Sequence, residues 1–503
     1  MPANDHLQWV EIKDFSGGLW TRDSFLVPPN AAQEMHDCHP VPGGGLRAFY
    51  RQQPFSSTSA PTNVGLDPAN EIYLGVFCNP SSGINSTNDH YIMAWNTTTR
   101  VPKLYHSAYG DWTNIKNFAA TVATPTLSKS FFTQYVSGTT RKTAFSLNTG
   151  PTASPGSVDD GIWLVTGSGA PVKMTVPGVG GRGPIAAHQN RLVILSDEGM
   201  RWTDPGTETF GAANLLVVEP QTRRPTDVSM TSYAPSELLI GKEAGPFVLV
   251  QGDLSDPIVR AMDESIVLGL GGMMGKTPQG LAVMAERDAF YLTSPGGGTN
   301  NISPQLSPDT LKMPVVSSAY NPKWLGDCLY VQGWLFTPSA VSDMHAWFSA
   351  GHTPGNTDMA HMMFDRSPTA GGIDGAGRAF YVNGNGGSSA GGYFELDDTK
   401  RSGTFSYKTA PFRDPDGRQV ELREIQVYAR TYDASASVAI TIGSTTRTVV
   451  FASAGRHQGT FLFREPAEVH DVRLVSTAGT ATTNEAPTVE ALRLGWQPRH
   501  MLR

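Results

Sequence analysis

One glycine-rich stretch of this 503-residue chain carries residue types that could hold a phosphate. Residues 271–277 end in Gly-Lys-Thr, as a phosphate-binding loop does. Such a loop also needs a glycine where this chain has Leu270, and a long helix after it whose N-terminus faces the phosphate. Pro278 opposes that helix. We therefore interpret the stretch as a loop between strands and predict no bound cofactor.

Ser389 lies in the pattern Gly-x-Ser-x-Gly, residues 387–391. In hydrolases this pattern places a serine nucleophile on a strained turn between a strand and a helix. Here the pattern lies within residues 383–392, which are nearly all Gly, Ser and Asn, and no helical pattern follows. The sequence therefore predicts a hairpin loop and no nucleophile.

Two stretches could bind a metal by residue type. His36, Asp37, Cys38 and His39 are all types that ligate zinc, but their spacing is too tight for all four to converge on one ion. Residues 359–363, Met-Ala-His-Met-Met, could suit a soft metal, yet methionine in strands more commonly fills cores or interfaces. We predict no metal site in either stretch.

Acidic pairs could provide the two carboxylates that a glycosidase places across its cleft. The pairs are Asp159-Asp160, Asp397-Asp398 and the two aspartates of residues 414–417, and their Gly, Pro and Asp neighbours predict solvated turns. Tryptophans in strands could stack sugars but more commonly pack between sheets; they are Trp95, Trp112, Trp163, Trp202, Trp324, Trp334 and Trp347. The sequence thus assigns no catalytic residue, and we expect a protein that is not an enzyme.

The elements that would position these residues are short strands from about residue 70 to residue 396. Almost no stretch there keeps apolar residues at helical spacing. Apolar runs recur instead at 72–77, 91–95, 103–105, 162–165, 191–195, 247–250, 290–292 and 328–331. Radial repetition of small sheets protects such strands from exposed edges, so the pattern predicts a β-propeller. We count about six units and a partial one at 379–396, at a spacing near that of propeller blades.

The chain divides into three parts by pattern. Residues 1–60 predict an extended arm with one short helix at 31–37, entered through Pro28-Pro29-Asn30. Residues 61–400 predict the β-propeller. Residues 401–503 hold about seven evenly spaced strands, several of which alternate apolar and polar residues, and predict a jelly-roll-like β-sandwich. The fold class is therefore all-β.

Composition limits the function classes. The 53 glycines and 36 prolines suit a protein made of turns, and 17% charged residues is low, which indicates a surface that packs against partners. A net charge of −7 opposes binding of nucleic acid through phosphates, although DNA could slide past. Three distant cysteines, no long apolar run and no secretory signal predict synthesis in a reducing cytoplasm and no membrane-spanning segment.

The N-terminal part resembles the opening of tailed-bacteriophage tail proteins that carry a β-propeller. Its lines are residues 14–19 (DFSGGL), 29–35 (PNAAQEM) and 44–47 (GGLR). Two further lines are similar to the propellers of phage nozzle and tail-hub proteins, namely 187–193 (AHQNRLV) with 202–206 (WTDPG), and 238–253, which ends in Gln-Gly-Asp. None of these lines carries a catalytic residue.

The resemblance implies a structural protein of the virion tail. In short-tailed phages such a chain forms a hexameric ring below the adaptor, a nozzle through which DNA is retained and ejected. In long-tailed phages similar chains are minor tail or fibre proteins. The implied partners are further copies of the chain, neighbouring adaptor or fibre proteins, and DNA in passing. A receptor- or glycan-binding tail protein that meets a host-surface glycan is the alternative, and a glycan-degrading tail enzyme is a third.

Overall fold

The computed structural model describes the following parts of the chain. They are residues 7–15, 20, 27–36, 38–41, 45–48, 50–54, 65–67, 70–79, 89–107, 112–119, 131–147, 159–177, 183–196, 199–218, 229–241, 248–261, 274–277, 280–284, 290–293, 299–301, 323–325, 328–331, 334–338, 344–348, 359–365, 378–383, 392–401, 403–413, 419–467, 470–479 and 485–498. Within residues 72–90 and 261–400 the description covers the backbone alone. All regular elements in these ranges are strands. None of the ranges holds a helix long and apolar enough to cross a membrane.

The N-terminal residues contribute five strands. They are β1 (Gln8–Ile12), β2 (Ala32–His36), β3 (Cys38–Pro40), β4 (Leu46–Ala48) and β5 (Tyr50–Pro54).

The middle of the described chain forms seven four-stranded antiparallel sheets. Sheet 1 contains β6 (Glu71–Asn79), β7 (Asp89–Asn96), β8 (Pro102–Ser107) and β9 (Thr113–Asn117). Sheet 2 contains β10 (Phe131–Ser137), β11 (Thr140–Leu147), β12 (Gly161–Val165) and β13 (Val172–Lys173). Sheet 3 contains β14 (Ile185–His188), β15 (Arg191–Ser196), β16 (Gly199–Thr203) and β17 (Phe210–Leu216). Sheet 4 contains β18 (Ser229–Ala234), β19 (Glu237–Gly241), β20 (Val248–Gln251) and β21 (Ile258–Ala261).

The remaining three sheets follow the same order. Sheet 5 contains β22 (Met274–Thr277), β23 (Gly280–Met284), β24 (Phe290–Thr293) and β25 (Thr299–Asn301). Sheet 6 contains β26 (Lys323–Leu325), β27 (Cys328–Val331), β28 (Trp334–Pro338) and β29 (Met344–Phe348). Sheet 7 contains β30 (Met359–Asp365), β31 (Arg378–Asn383) and β32 (Gly392–Arg401), and β5 pairs with β32 as its fourth strand.

The seven sheets form a closed, β-propeller-like ring. The first strand of each sheet contacts the first strand of the next, and β30 of sheet 7 contacts β6 of sheet 1. The six units and the partial unit predicted at 379–396 therefore correspond to the seven sheets. The last unit looked partial because the fourth strand of its sheet, β5, comes from the opposite end of the chain.

The last hundred residues contribute seven strands, as predicted. They are β33 (Thr404–Thr409), β34 (Val420–Thr431), β35 (Ser437–Ile442), β36 (Thr445–Val450), β37 (Gly455–Ala467), β38 (Arg473–Thr477) and β39 (Thr488–Pro498). One sheet has the order β2-β33-β38-β35-β36, and the other has the order β3-β4-β39-β34-β37 with β1 also on β39. Both sheets contribute side chains to one hydrophobic core, and we call them the sheet pair.

The predicted helix at 31–37 is wrong, because Ala32–His36 is strand β2, paired with β33. The ladder shifts between Ala32 and Glu34, which indicates a β-bulge with an extra residue at Gln33. The extra residue turns both Ala32 and Met35 toward the core, where both are fully buried. Burial at positions i and i+3 is typical of a helix, so the bulge reproduced a helical pattern in a strand.

The N-terminal segment does not form a separate arm. Strands β1 to β4 join the sheet pair, whereas β5 completes sheet 7 of the ring. Ile12, Phe15 and Leu46 all lie in the core of the sheet pair with residues more than 390 positions away. The segment therefore connects the sheet pair to the ring within one continuous chain.

Candidate functional site

The two glycine-rich motifs lie wholly or partly outside the described residues. Residues 271–273 and 387–391 lie outside the described residues, as do residues 414–417. Lys276 and Thr277 belong to strand β22 and pair with Leu281 and Gly280 of β23. A lysine within a strand ladder does not stand at a helix N-terminus. Residues 274–277 nevertheless form a strand and not the loop between strands that we predicted.

The metal candidates are also placed in strands. Cys38 is a buried cysteine of the sheet-pair core, and its thiol donates to the carbonyl of Ser406 at 3.4 Å. Residues 359–363 lie in β30, the first strand of sheet 7. Over the described residues, no three His, Cys, Asp or Glu side chains gather as a metal site.

The two acidic pairs that the structure describes are not the solvated turns that we predicted. Asp159 and Asp160 are only 4% and 7% exposed, and the carbonyl of Asp159 accepts a hydrogen bond from the indole of Trp163 at 2.9 Å. Asp397 lies within strand β32 and pairs with Arg51 of β5. Aspartate next to glycine is typical of turns, but here strand pairing and the packing of Trp163 enclose the backbone.

The tryptophans of the first three sheets pack as predicted. Trp95, Trp112, Trp163 and Trp202 are each less than 8% exposed. Trp95 and Trp163 lie in one cluster shared by sheets 1 and 2, in which Trp163 contacts Phe118 edge-on at 5.3 Å. These indoles hold neighbouring sheets together and are not exposed for stacking on a sugar.

A buried ion pair stands at the start of sheet 1. The Glu71 carboxylate is fully buried and accepts hydrogen bonds from the ammonium of Lys103 and the hydroxyl of Tyr105, both at 2.6 Å. Burial, and then the hydrogen bond to Glu71, raises the pKa of the Tyr105 phenol. Both partners lie on β8 and Glu71 lies on β6, so the cluster ties the first strand to the third.

Three consecutive joints of the ring use the same element. Gly167, Gly206 and Gly252 each lie in the turn between the third and fourth strands of a sheet, with φ of 51°, 67° and 88°. L-residues rarely adopt this region, so the turn requires glycine. In each case the glycine carbonyl accepts a hydrogen bond from the preceding sheet. We call these contacts the glycine joints.

The donors of the glycine joints differ in chemistry. The hydroxyl of Tyr91 donates to Gly167 at 3.0 Å, and the backbone N–H of Gly138 donates to Gly206 at 2.9 Å. The side-chain amide of Gln189 donates to Gly252 at 2.7 Å. The same joint is thus made by a phenol, a peptide and an amide, so this contact does not require the same donor residue in each sheet.

The third glycine joint is reinforced by two further contacts. The Gln189 carbonyl oxygen accepts from the N–H of Leu254 at 3.1 Å, so one amide binds both sides of the turn. Arg191 lies 3.5 Å from the Asp253 carboxylate. Hydrogen bonds from Ser255, and then the charge of Arg191, lower the pKa of Asp253.

A cavity of about 270 Å³ opens beside the second and third glycine joints. Its lining includes Tyr135, Arg141, His188, Gln189 and Ser232. His188 Nδ1 lies 2.8 Å from the Ser232 hydroxyl, which links sheet 3 to sheet 4. The Tyr135 hydroxyl donates to the Thr207 carbonyl of sheet 3, and burial raises its pKa. These polar groups act between sheets, as the glycine joints do.

A second polar surface lies on the sheet pair, on the side of the six-stranded sheet that faces away from the core. Along β34 the side chains of Leu422, Ile425 and Val427 are buried, whereas those of Glu424 and Gln426 are partly exposed. We call this side the outer face. It includes Trp9, Glu11, Glu424, Gln426, Tyr428, Leu462, Arg493 and Gly495.

An exposed indole lies on β1, an edge strand of the outer face. Trp9 is 37% exposed and pairs with Gly495 in the register of β1 and β39. A Cβ on Gly495 would lie only 2.9 to 3.1 Å from three atoms of the indole. The ring therefore packs directly on Gly495, and a side chain at position 495 would displace it. The Arg493 guanidinium lies 5.3 Å from the ring centroid.

A chain of hydrogen bonds runs beside this indole. Arg493 donates to the Tyr428 hydroxyl at 3.4 Å, and that hydroxyl donates to the Gln426 carbonyl oxygen at 3.2 Å. The Gln426 amide donates to Glu424 at 2.7 Å. On its other side Arg493 lies 3.6 Å from Glu11, and the hydrogen bond to Tyr428 raises the pKa of Arg493.

Sequence reasoning missed the outer face. Gln8–Ile12 contains Trp9, Val10 and Ile12, residue types that favour strands, and this was the signal available for Trp9. Its position on Gly495 follows from a pairing between residues nearly 490 positions apart, which no local pattern contains.

Comparison with known proteins gives structural likeness alone. No family model and no curated protein matches the chain. An exo-β-1,3-galactanase from Phanerochaete chrysosporium is similar at 11% identity and a TM-score of 0.24, over 89% of this chain and 99% of that one. YCF48 bound to a D1 peptide is similar at 11% identity and a TM-score of 0.38, over 67% and 98%. A prolyl endopeptidase is similar at 14% identity and a TM-score of 0.32, over 75% and 54%.

These comparisons correct one prediction from the sequence. The expectation that the protein is not an enzyme is contradicted, because the similar structures include a galactanase and an endopeptidase. Lack of a catalytic motif in the sequence is therefore no ground for excluding enzymes. At these TM-scores the likeness assigns no activity to this chain.

Proposed function

We propose that the chain is a structural protein of a bacteriophage tail, in which a seven-bladed β-propeller and a jelly-roll-like β-sandwich form a hub or nozzle. The proposal rests on where two sequence stretches that resemble nozzle and hub proteins lie in the ring. Residues 187–193 contain Gln189 and Arg191, and the line ending in Gln-Gly-Asp contains Gly252 and Asp253. These residues meet in the third glycine joint, so the two lines form one mechanical contact of the ring.

Exposed aliphatic side chains on the rim of the ring support self-association. Val172 lies on β13, and Ile258 and Val259 lie on β21; they are 66%, 55% and 41% exposed. Val217, directly after β17, is 47% exposed. These positions belong to the outermost strands of sheets 2 to 4, whose edges are open to pairing or packing. A neighbouring copy, or an adaptor or fibre protein, would cover them.

The proposed assembly is a ring of six copies in the virion tail, with DNA passing through its channel. The net charge of −7 supports passage without adhesion, because like charges repel the phosphates.

Electron microscopy of the purified chain and of the phage particle tests this proposal. We expect rings with a central channel, and copies of the chain in the tail. A double variant Val172→Asp, Ile258→Asp should dissociate the rings, whereas Val450→Asp, on the sheet pair and 63% exposed, should leave them intact. Monomers at all concentrations, together with particles that lack the chain, would overturn the proposal.

A receptor- or glycan-binding tail protein is the second candidate, and the exposed indole of Trp9 favours it. A glycan-degrading tail enzyme is the third. Release of sugars from host-surface polysaccharide by the purified chain would select the third candidate.

A further inference from the structure

The outer face offers an aromatic surface of unusual accessibility for this chain. Trp95, Trp163 and Trp202 are 4–7% exposed, whereas Trp9 is 37% exposed on a flat sheet surface. Gly495 packs against the indole, the Arg493 guanidinium lies over the ring 5.3 Å from its centroid, and 37% of Trp9 is still exposed to solvent. An indole face held in this way can receive the C–H groups of a flat ring, through burial of apolar area and weak C–H contacts.

Polar groups beside the indole alternate between donors and acceptors. Arg493 and the Gln426 amide donate, the Glu424 and Glu11 carboxylates accept, and the Tyr428 hydroxyl can do both. Their mutual hydrogen bonds hold them in place before a ligand arrives, which lowers the ordering cost of binding. Such a mixture next to an aromatic face matches a ring that carries many hydroxyls.

Most charged groups on this side of the sheet lie in ion pairs. Glu11 faces Arg493 at 3.6 Å, and Glu490 lies 3.3 Å from Arg430 and 3.0 Å from Arg456. A ligand with a net charge would have to break these pairs, whereas a neutral ligand would use their remaining hydrogen-bonding capacity. The charge pattern therefore favours a neutral ligand.

The dimensions of the outer face suit an oligosaccharide. From Trp9 on β1 to Glu424 on β34, which both lie beside Gly495, the surface crosses two strand spacings, about 10 Å. Leu462 on β37 lies in the same row as Trp9, Gly495 and Glu424, and is 68% exposed. It extends the apolar row beyond Glu424 by one further strand.

We infer that the outer face binds a neutral oligosaccharide, with one sugar ring stacked on Trp9 and its hydroxyls hydrogen-bonded to Arg493, Tyr428, Gln426 and Glu424. The inference stands on this surface alone and does not depend on the proposed tail function. It assigns the sheet pair a role in recognition, separate from the glycine joints of the ring.

A glycan array, followed by isothermal titration calorimetry with the neutral oligosaccharide that binds most strongly, tests the inference. Trp9→Ala should weaken binding about tenfold or more, because the stacking surface is lost. Gly495→Ala retains the indole but displaces it, and should weaken binding to a similar extent. Val450→Ser, which changes an exposed aliphatic residue of the other sheet, should leave affinity and thermal stability unchanged.

Each outcome of these measurements either supports or overturns the proposed sugar site. Weaker binding in both Trp9→Ala and Gly495→Ala, with melting temperatures close to that of the parent, supports the site. Absence of binding to all neutral glycans on the array at millimolar concentration overturns it, as does binding that Trp9→Ala leaves unchanged. Preference for acidic glycans would overturn the assignment to neutral ligands. Failure of the virion experiment would leave the sugar measurement unaffected, so the two proposals are distinguishable.

Discussion

The ring and the sheet pair hold their cores in different ways. In the ring, separate hydrophobic clusters lie between adjacent sheets, such as the cluster shared by sheets 1 and 2 and that shared by sheets 3 and 4. In the sheet pair one core receives residues from both ends of the chain, from Ile12 to Trp496. A destabilising substitution in the ring should therefore loosen only the sheets next to it. A destabilising substitution in the sheet pair should loosen strands from both ends of the chain.

The buried ion pair of sheet 1 gives the largest expected effect. Lys103→Met would leave the fully buried Glu71 carboxylate without its cation, which costs about 3–5 kcal/mol of unfolding free energy. Chemical denaturation, with hydrogen exchange of sheet 1 to localise the loss, measures it. The double variant Glu71→Gln, Lys103→Met should recover most of the stability.

The matched control is an exposed ion pair of the sheet pair. Arg456 is 69% exposed where it contacts Glu490, so Arg456→Met should cost below about 1 kcal/mol. Equal losses from Lys103→Met and Arg456→Met would contradict the difference in burial on which this prediction depends.

A leucine at each extreme of exposure tests how far the N-terminal segment supports the sheet pair. Leu46 is fully buried in β4, and Leu46→Ala should lower the unfolding free energy by about 2–5 kcal/mol. Leu462 is 68% exposed on β37, and Leu462→Ala should change it by about 0.5 kcal/mol or less. Thermal and urea unfolding measure both. If Leu46→Ala were as mild as Leu462→Ala, the N-terminal strands would not be part of the core.

Local patterns predicted the strands themselves but not what joins them. The run at 191–195 is strand β15, and the seven strands of residues 402–503 are all present, because strand periodicity is local. The pairing of β5 with β32 and of β1 with β39 depends on distant residues, so the fourth strand of the seventh sheet and the Trp9 site could not be predicted. The prediction of a helix at 31–37 was wrong because a β-bulge buries Ala32 and Met35 at helical spacing.

The third glycine joint tests whether the ring yields locally. Gln189→Ala would remove the hydrogen bonds to the Gly252 carbonyl and the Leu254 N–H, at a cost of about 1–3 kcal/mol. The amide of Leu254 should exchange faster with deuterium, while amides of the sheet pair keep their rates. Gln8→Ala, on exposed strand β1, is the control and should leave both regions unchanged. Faster exchange spread evenly over all sheets would show a ring that unfolds as one unit.

Alkaline pH should weaken the sheet pair through a single phenol. Tyr407 is fully buried, donates to the Ala31 carbonyl at 3.1 Å, and has its pKa raised mainly by burial. Because the unfolded phenol ionises near ~10 and the folded one higher, its contribution to stability is complete below pH 10 and is lost as the pH rises from there toward the folded pKa.

Tyr407→Phe isolates this contribution, since it keeps the edge contact with Phe15 at 5.3 Å and removes the ionisable group. Between pH 10 and pH 11 the parent should lose about 1 kcal/mol more than the variant, measured by urea unfolding at each pH. The constant cost of the missing hydrogen bond appears at neutral pH and does not alter the difference in slope. Parallel losses in the two proteins would mean that the Tyr407 hydroxyl ionises as easily in the folded chain as in the unfolded one, and that the core of the sheet pair is open to water at Tyr407.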